Sequence, residues 1–74
     1  MQPVETESIE IVLNGEPRRV PRAVSVDRLL AFLAIDPARV AVERNREIVR
    51  QPDWNTTVVQ PGDRLEIVWF VGGG

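Results

Sequence analysis

Alternating apolar residues near the start of the chain predict a β-hairpin. Ile9, Ile11 and Leu13 share one face of a strand over Ser8–Leu13, as in a half-buried strand. Asn14-Gly15 follows directly and favours the type I′ turn that joins two antiparallel strands. The returning segment, Glu16–Pro21, contains two prolines, which indicates a strand at the edge of a sheet or prolines at the ends of the strand.

The spacing of apolar residues then changes to that of a helix. Val26, Leu29, Leu30 and Leu33 form one apolar stripe at helical spacing. We expect Ser25 to be the N-cap, with Val24 packing onto Leu29. Asp36-Pro37 is expected to end the helix, because a residue before proline avoids the helical region.

Short extended segments predominate in the second half of the chain. Strands are predicted over residues 39–43, 48–49 and 65–70, with a further extended piece at 57–59 and with Trp54 in the core. One amphipathic helix among these strands predicts an α+β fold, a mixed sheet of four to five strands covered on one face by one main helix. Residues 1–74 are expected to be a single domain, with a loose leader at 1–7 and a flexible tail at 71–74.

The last strand is apolar on both faces. Leu65, Ile67 and Trp69 share one face, and Glu66, Val68 and Phe70 share the other. Since a single helix covers only one face, we expect Val68 and Phe70 to form an exposed surface that docks a partner, with Val12 beside them. A central strand whose second face is partly covered is the alternative.

Composition argues against catalysis by this chain. The sequence has no His, Cys, Tyr or Lys, and its nine basic residues are all Arg. The usual proton shuttles and the strongest nucleophiles are therefore missing, as are thiolates for a metal or a disulfide. A net charge of −2 disfavours nucleic-acid binding. No apolar run is long enough for a membrane span and the polar start does not resemble a signal peptide, so we expect a cytoplasmic protein without a metal or cofactor of its own.

Three glycines end the sequence directly after its most apolar stretch. A glycine run adds little to a core and carries no side chain, so it can present a terminal carboxylate to a narrow slot in another protein. This pattern predicts that Gly74 bears the reactive group and that Gly73, Gly72 and Val71 form the tail leading to it. A frayed chain end is the alternative interpretation.

Four segments carry a further pattern: residues 11–16 (IVLNGE), residues 42–45 (VERN) followed by 48–50 (IVR) and Trp54, residues 61–68 (PGDRLEIV), and residues 71–74 (VGGG). Together they resemble the ThiS family of sulfur carriers in thiamin biosynthesis. The resemblance covers roughly residues 8–74 and implies a β-grasp, ubiquitin-like fold. Residues 1–7 extend beyond the usual start of the family.

The resemblance also implies a chemistry. In that family an E1-like adenylating enzyme of the ThiF/MoeB type uses ATP to adenylate the terminal glycine, here Gly74. The acyl-adenylate becomes a thiocarboxylate, which donates sulfur to a thiazole synthase of the ThiG type. The chain is then a carrier and not an enzyme, and its partners handle ATP and sulfur.

Other functions remain open on the sequence. A MoaD-like carrier for molybdopterin or cysteine synthesis has the same tail, although MoaD-like chains more often have a proline before the glycines, where this chain has Trp69-Phe70-Val71. A non-reactive β-grasp binding module and a ubiquitin-like modifier are further alternatives. Extending the C-terminus by one residue is expected to abolish a carrier and to spare a binding module.

Overall fold

The computed structural model describes residues 8–71 as one mixed sheet packed against a single α-helix. The strands are β1 (Ser8–Leu13), β2 (Glu16–Pro21), β3 (Val40–Arg44), β4 (Glu47–Val49) and β5 (Arg64–Trp69), the helix is α1 (Val26–Phe32), and 3₁₀ turns span Pro37–Arg39 and Gln51–Asp53. The sheet order is β2-β1-β5-β3-β4. β1 and β5 run parallel, and the other neighbouring pairs are antiparallel. The predicted α+β architecture is confirmed, while the predictions for residues 1–7 and 72–74 lie outside the described residues.

The core lies between α1 and one face of the sheet. Its buried members are Ile9, Ile11, Val20, Val26, Leu29, Leu30, Val40, Val42, Trp54, Val59, Leu65 and Ile67. The predicted core position of Trp54 is confirmed, and its indole N–H donates to the Val49 carbonyl at 2.7 Å. That bond satisfies the one polar atom of a side chain that otherwise closes the end of the core.

Two hairpins use the same kind of turn. Asn14 and Gly15 have φ values of 49° and 84°, as the predicted type I′ turn requires. Asn45 and Arg46, between β3 and β4, have φ values of 52° and 73°. The second turn therefore holds an arginine in the left-handed region, where glycine is the usual residue. As predicted, β2 lies at an edge of the sheet.

The helix begins after Ser25, as predicted, but it ends earlier than predicted. Ser25 is the N-cap by position, but its side chain makes no bond to the helix backbone and instead donates to the Asp27 carboxylate. The helix ends at Phe32, before Asp36-Pro37, because Ala34 adopts a φ of 60°. The Ile35 N–H then donates to the Leu30 carbonyl, the hydrogen bond that defines a Schellman motif at the end of a helix. Asp36 caps the following 3₁₀ turn instead.

No helix within residues 8–71 is long and apolar enough to cross a membrane.

Candidate functional site

The central strand β5 carries the chain toward the glycine tail. β5 lies between β1 and β3 and ends at Trp69, and the Phe70 N–H still donates to the Arg39 carbonyl at 2.9 Å. Val71 is 92% exposed and is the last residue described. The chain thus leaves the sheet directly after Phe70. The predicted reactive residue Gly74 and its neighbours Gly73 and Gly72 lie outside the described residues, so their role stays a prediction.

The turn residue Asn14 holds one edge of β5. Pairing between β1 and β5 ends at Leu13 and Leu65. Beyond that point the Ile67 N–H donates to Asn14 Oδ1 at 2.7 Å, and Asn14 Nδ2 donates to the Ile67 carbonyl at 3.2 Å. One side-chain amide therefore satisfies both main-chain groups of Ile67, as a neighbouring strand does elsewhere in the sheet.

A buried carboxylate holds the start of β5. Asp63, 7% exposed, accepts bonds from Arg44 Nε at 2.7 Å, Asn45 Nδ2 at 3.1 Å and the Gln60 N–H at 2.8 Å. Burial opposes the charged form of Asp63. The Gln60 N–H, the Arg44 guanidinium and the Asn45 amide outweigh that effect and lower the pKa of Asp63. Asp63 is thus structural, since both of its carboxylate oxygens accept hydrogen bonds within the fold.

Asn45 also makes hydrogen bonds that join the β3–β4 turn to β5, and we call the bonds of Asp63 and Asn45 together the clasp. Its Oδ1 accepts the Arg64 N–H at 2.9 Å, and its own N–H donates to the Arg64 carbonyl at 2.8 Å. Three of the four segments that carry the family resemblance therefore meet along β5. Their shared role is to fix the strand from which the tail departs.

The uncovered face of the sheet carries an apolar surface beside the tail. Val68 is 51% exposed and Phe70 is 60% exposed, as predicted. Ala41 lies opposite Val68 in the register, and Ile48, 69% exposed, lies opposite Glu43 on the same face. We call Ala41, Ile48, Val68 and Phe70 the open-face patch.

Val12 does not lie beside Val68. Its register partner on β5 is Arg64, which is four residues before Val68, or about 13 Å along the strand. Val12 is half-buried and lies near Arg64 and Glu66, on the charged part of the same face. The expected continuity of Val12 with Val68 is therefore wrong, because the parallel register of β1 and β5 separates the two residues.

Trp69 faces the helix side of the sheet, as predicted from the alternation of β5, yet it is 50% exposed. It lines a groove with Leu33 and Ile35. The side chain stays half in solvent because α1 ends at Phe32 and does not extend over it.

Sequence reasoning missed several residues of this site. The bonds of Asn14 to Ile67 and of Asp63 to Arg44 and Asn45 were not foreseen, nor was Ile48 in the open-face patch. The available signal was that both type I′ turns contain an asparagine, whose short amide tolerates a positive φ and can still reach a neighbouring strand. Within residues 8–71 there is no cluster of acidic side chains that could hold a metal ion.

Comparison with known proteins gives a consistent assignment. A model described as "ThiS family" matches residues 11–74. The sulfur carrier protein ThiS of Bacillus subtilis is 35% identical over 63 residues, which cover 84% of this chain and 96% of that protein. The crystal structure of a thiamine biosynthesis protein (ThiS) from Geobacter metallireducens superposes with a TM-score of 0.79 at 32% identity, covering 89% of this chain and 100% of that one. This match confirms the β-grasp fold.

A third relative is much longer than the chain. A thiazole synthase from Paramagnetospirillum magneticum is 46% identical over 66 residues, or 89% of this chain. The matched segment is 20% of that protein, so the chain spans about one fifth of its relative's length.

Proposed function

The chain belongs to the ThiS family of sulfur carrier proteins, and we propose that it carries sulfur as a thiocarboxylate on Gly74 for thiazole formation in thiamin biosynthesis. The observation that carries this proposal is the family match. It begins at residue 11 in β1, the strand that pairs with the first part of β5, and it extends through Gly74. The chain acts as a protein co-substrate in the cytoplasm. Its missing nucleophiles and proton shuttles are then supplied by the enzymes that act on it.

The proposed chemistry starts from an unreactive group. A carboxylate resists nucleophiles, since it is negatively charged and has no good leaving group. The adenylating enzyme, of the ThiF/MoeB type, transfers AMP from ATP to the Gly74 carboxylate and releases pyrophosphate. Hydrosulfide from the sulfur source then attacks the acyl carbon, the bond to AMP breaks, AMP and a proton leave, and a thiocarboxylate remains. The glycines leave the acyl carbon free of side chains, so that it can enter a narrow active site.

The thiamin pathway is favoured over molybdopterin or cysteine synthesis. The relative at 46% identity is a thiazole synthase, and the matched solved structure is of a thiamine biosynthesis protein. We propose a thiazole synthase of the ThiG type as the sulfur acceptor.

We further propose that the open-face patch docks these enzymes. Val68 and Phe70 lie on the uncovered face at the end of β5 from which the tail departs. A contiguous exposed apolar surface at such a position is typical of an interaction site. Docking there places the tail close to the partner's active site.

Mass spectrometry of the intact protein tests the carrier chemistry. The chain is incubated with the adenylating enzyme from the same genome, ATP and a sulfur source. We expect a mass gain equal to the exchange of one oxygen for sulfur, localised to Gly74 by fragmentation. A variant extended by one residue beyond Gly74 is the control and should not be modified. If the native chain gains no mass while the enzyme modifies another carrier, the proposal is wrong.

A pair of valine variants tests the docking surface. Val68→Glu places a charge in the open-face patch, whereas Val58→Glu makes the same change at a 41% exposed valine outside it. Both side chains are partly exposed, so both variants should fold. We expect Val68→Glu to weaken binding to the adenylating enzyme at least tenfold, as for loss of a central apolar contact, and Val58→Glu to bind like the native chain. Equal binding by the two variants would exclude the patch.

A further inference from the structure

The main chain of Trp69 has an unused hydrogen-bonding edge. At the two ends of β5 the main-chain groups of Arg64 and Phe70 bond to Asn45 and Arg39, the two residues that flank β3. Because such bonds alternate along a strand, those of Leu65, Ile67 and Trp69 point to the opposite edge. Leu65 accepts a bond there from the Asn14 N–H, and Ile67 is satisfied by the Asn14 side chain. Among the described residues, none bonds to the Trp69 N–H or carbonyl on that edge.

Asn14 defines where this free edge begins. β1 turns away into the hairpin after Leu13, so the position beside Ile67 has no strand neighbour. The Asn14 amide closes that position with two hydrogen bonds. An added strand cannot displace it without losing both. The open part of the edge therefore starts at Trp69 and runs toward the tail.

A groove of about 470 Å³ lies alongside the free edge on the helix side. Leu13, Leu33, Ile35 and Trp69 supply an apolar floor, and Glu16 and Arg18 form a polar rim. Leu13, Leu33 and Ile35 are each only partly buried. Since side chains alternate across a strand, a segment that pairs with Trp69 can place one apolar side chain in the groove.

We propose that the free edge at Trp69 receives an extended segment of the adenylating enzyme, which pairs with the Trp69 main chain and seats a large apolar side chain in the groove. This inference rests on the proposed function. Gly74 is five residues after Trp69, so an enzyme that binds Gly74 lies within about 18 Å of this edge. Strand addition of this kind derives affinity from main-chain bonds and specificity from pockets for alternate side chains.

Two substitutions at one position isolate the main-chain bond. Trp69→Ala and Trp69→Pro both remove the indole, but only proline also removes the N–H. Proline is tolerated on a strand where the N–H faces outward. We expect Trp69→Pro to bind the adenylating enzyme about fivefold to tenfold more weakly than Trp69→Ala, the effect of one lost hydrogen bond. Thermal melts of the two free variants check that both are folded.

Hydrogen exchange on the native chain tests the same bond without a substitution. We expect the Trp69 amide to exchange at least tenfold more slowly in the complex, while the Glu66 amide, on the β3 side of β5, serves as the reference. A native chain that binds the enzyme, with no added Trp69 protection and equal affinities for the two variants, overturns this inference and leaves the carrier function intact. A native chain that the enzyme neither binds nor adenylates overturns both.

Discussion

Replacing Asn14 with glycine tests whether one side chain anchors the central strand. The backbone at position 14 has a φ of 49°, which glycine adopts without strain, so the turn itself should survive. The change removes the two hydrogen bonds to Ile67, at 2.7 and 3.2 Å. Ile67 is buried, and its main-chain groups lose their only described partners on that edge.

The expected cost follows from those two bonds. Each contributes about 0.5–1.5 kcal/mol net, so the loss should be about 1–3 kcal/mol. For a domain of this size each kcal/mol corresponds to about 4–8 °C in Tm. A loss of about 2 kcal/mol, the centre of the expected range, should therefore lower the Tm by about 8–16 °C. Asn14→Asp keeps the acceptor for the Ile67 N–H but sets an acceptor oxygen against the Ile67 carbonyl in place of the donor, so its Tm should also lie below that of the native chain.

Circular dichroism melts at neutral pH provide the assay. Asn55→Gly is the matched control, because Asn55 is exposed and its side chain makes no hydrogen bond in the described structure. It reports the general cost of introducing glycine, about 0.5–1 kcal/mol. If Asn14→Gly melts within about 2 °C of the native chain, the bonds to Ile67 contribute little and our account of the β5 edge is refuted.

Three further predictions concern the turns and β5. Arg46→Gly should raise Tm, with a gain of about 0.5–1 kcal/mol, because it relieves a left-handed arginine at φ 73°; a lower Tm in the same melts would contradict this. Asp63→Asn should cost about 1–3 kcal/mol in urea unfolding at pH 7. Because folding lowers the pKa of Asp63, the free energy of unfolding of the native chain should fall as the pH drops below about 4. If the free energy of unfolding of Asp63→Asn falls by the same amount over this pH range, Asp63 is not responsible. Phe70→Pro should be at least about 1 kcal/mol less stable than Phe70→Ala, since only proline breaks the bond to Arg39; equal Tm values would disprove the alternation of β5.

Much of the fold could be predicted because its signals are local. The alternation in β1, the Asn14-Gly15 turn and the apolar stripe of α1 each lie within a few neighbouring residues. The helix end was misplaced because Ala34 adopts a conformation that alanine rarely takes, and only the Schellman bonds that form around it favour that conformation. Val12 was misplaced because alternation gives the face of a residue but not its position along a neighbouring strand.

The pattern of residues along the chain was sufficient for the kind of fold, the faces of each strand and the hypothesis that the glycine tail presents a terminal carboxylate. Those features depend on side-chain periodicity and on residue composition, both of which are properties of the sequence alone. The sulfur-carrier hypothesis came from the resemblance to the ThiS family. The anchoring of Ile67 by Asn14, 53 positions away, depends on the register of β1 against β5. Strand pairing also determines the clasp around Asp63, the open-face patch and the free edge at Trp69. Registers and strand neighbours arise from contacts between distant segments, which the chain forms only when the sheet closes around its core.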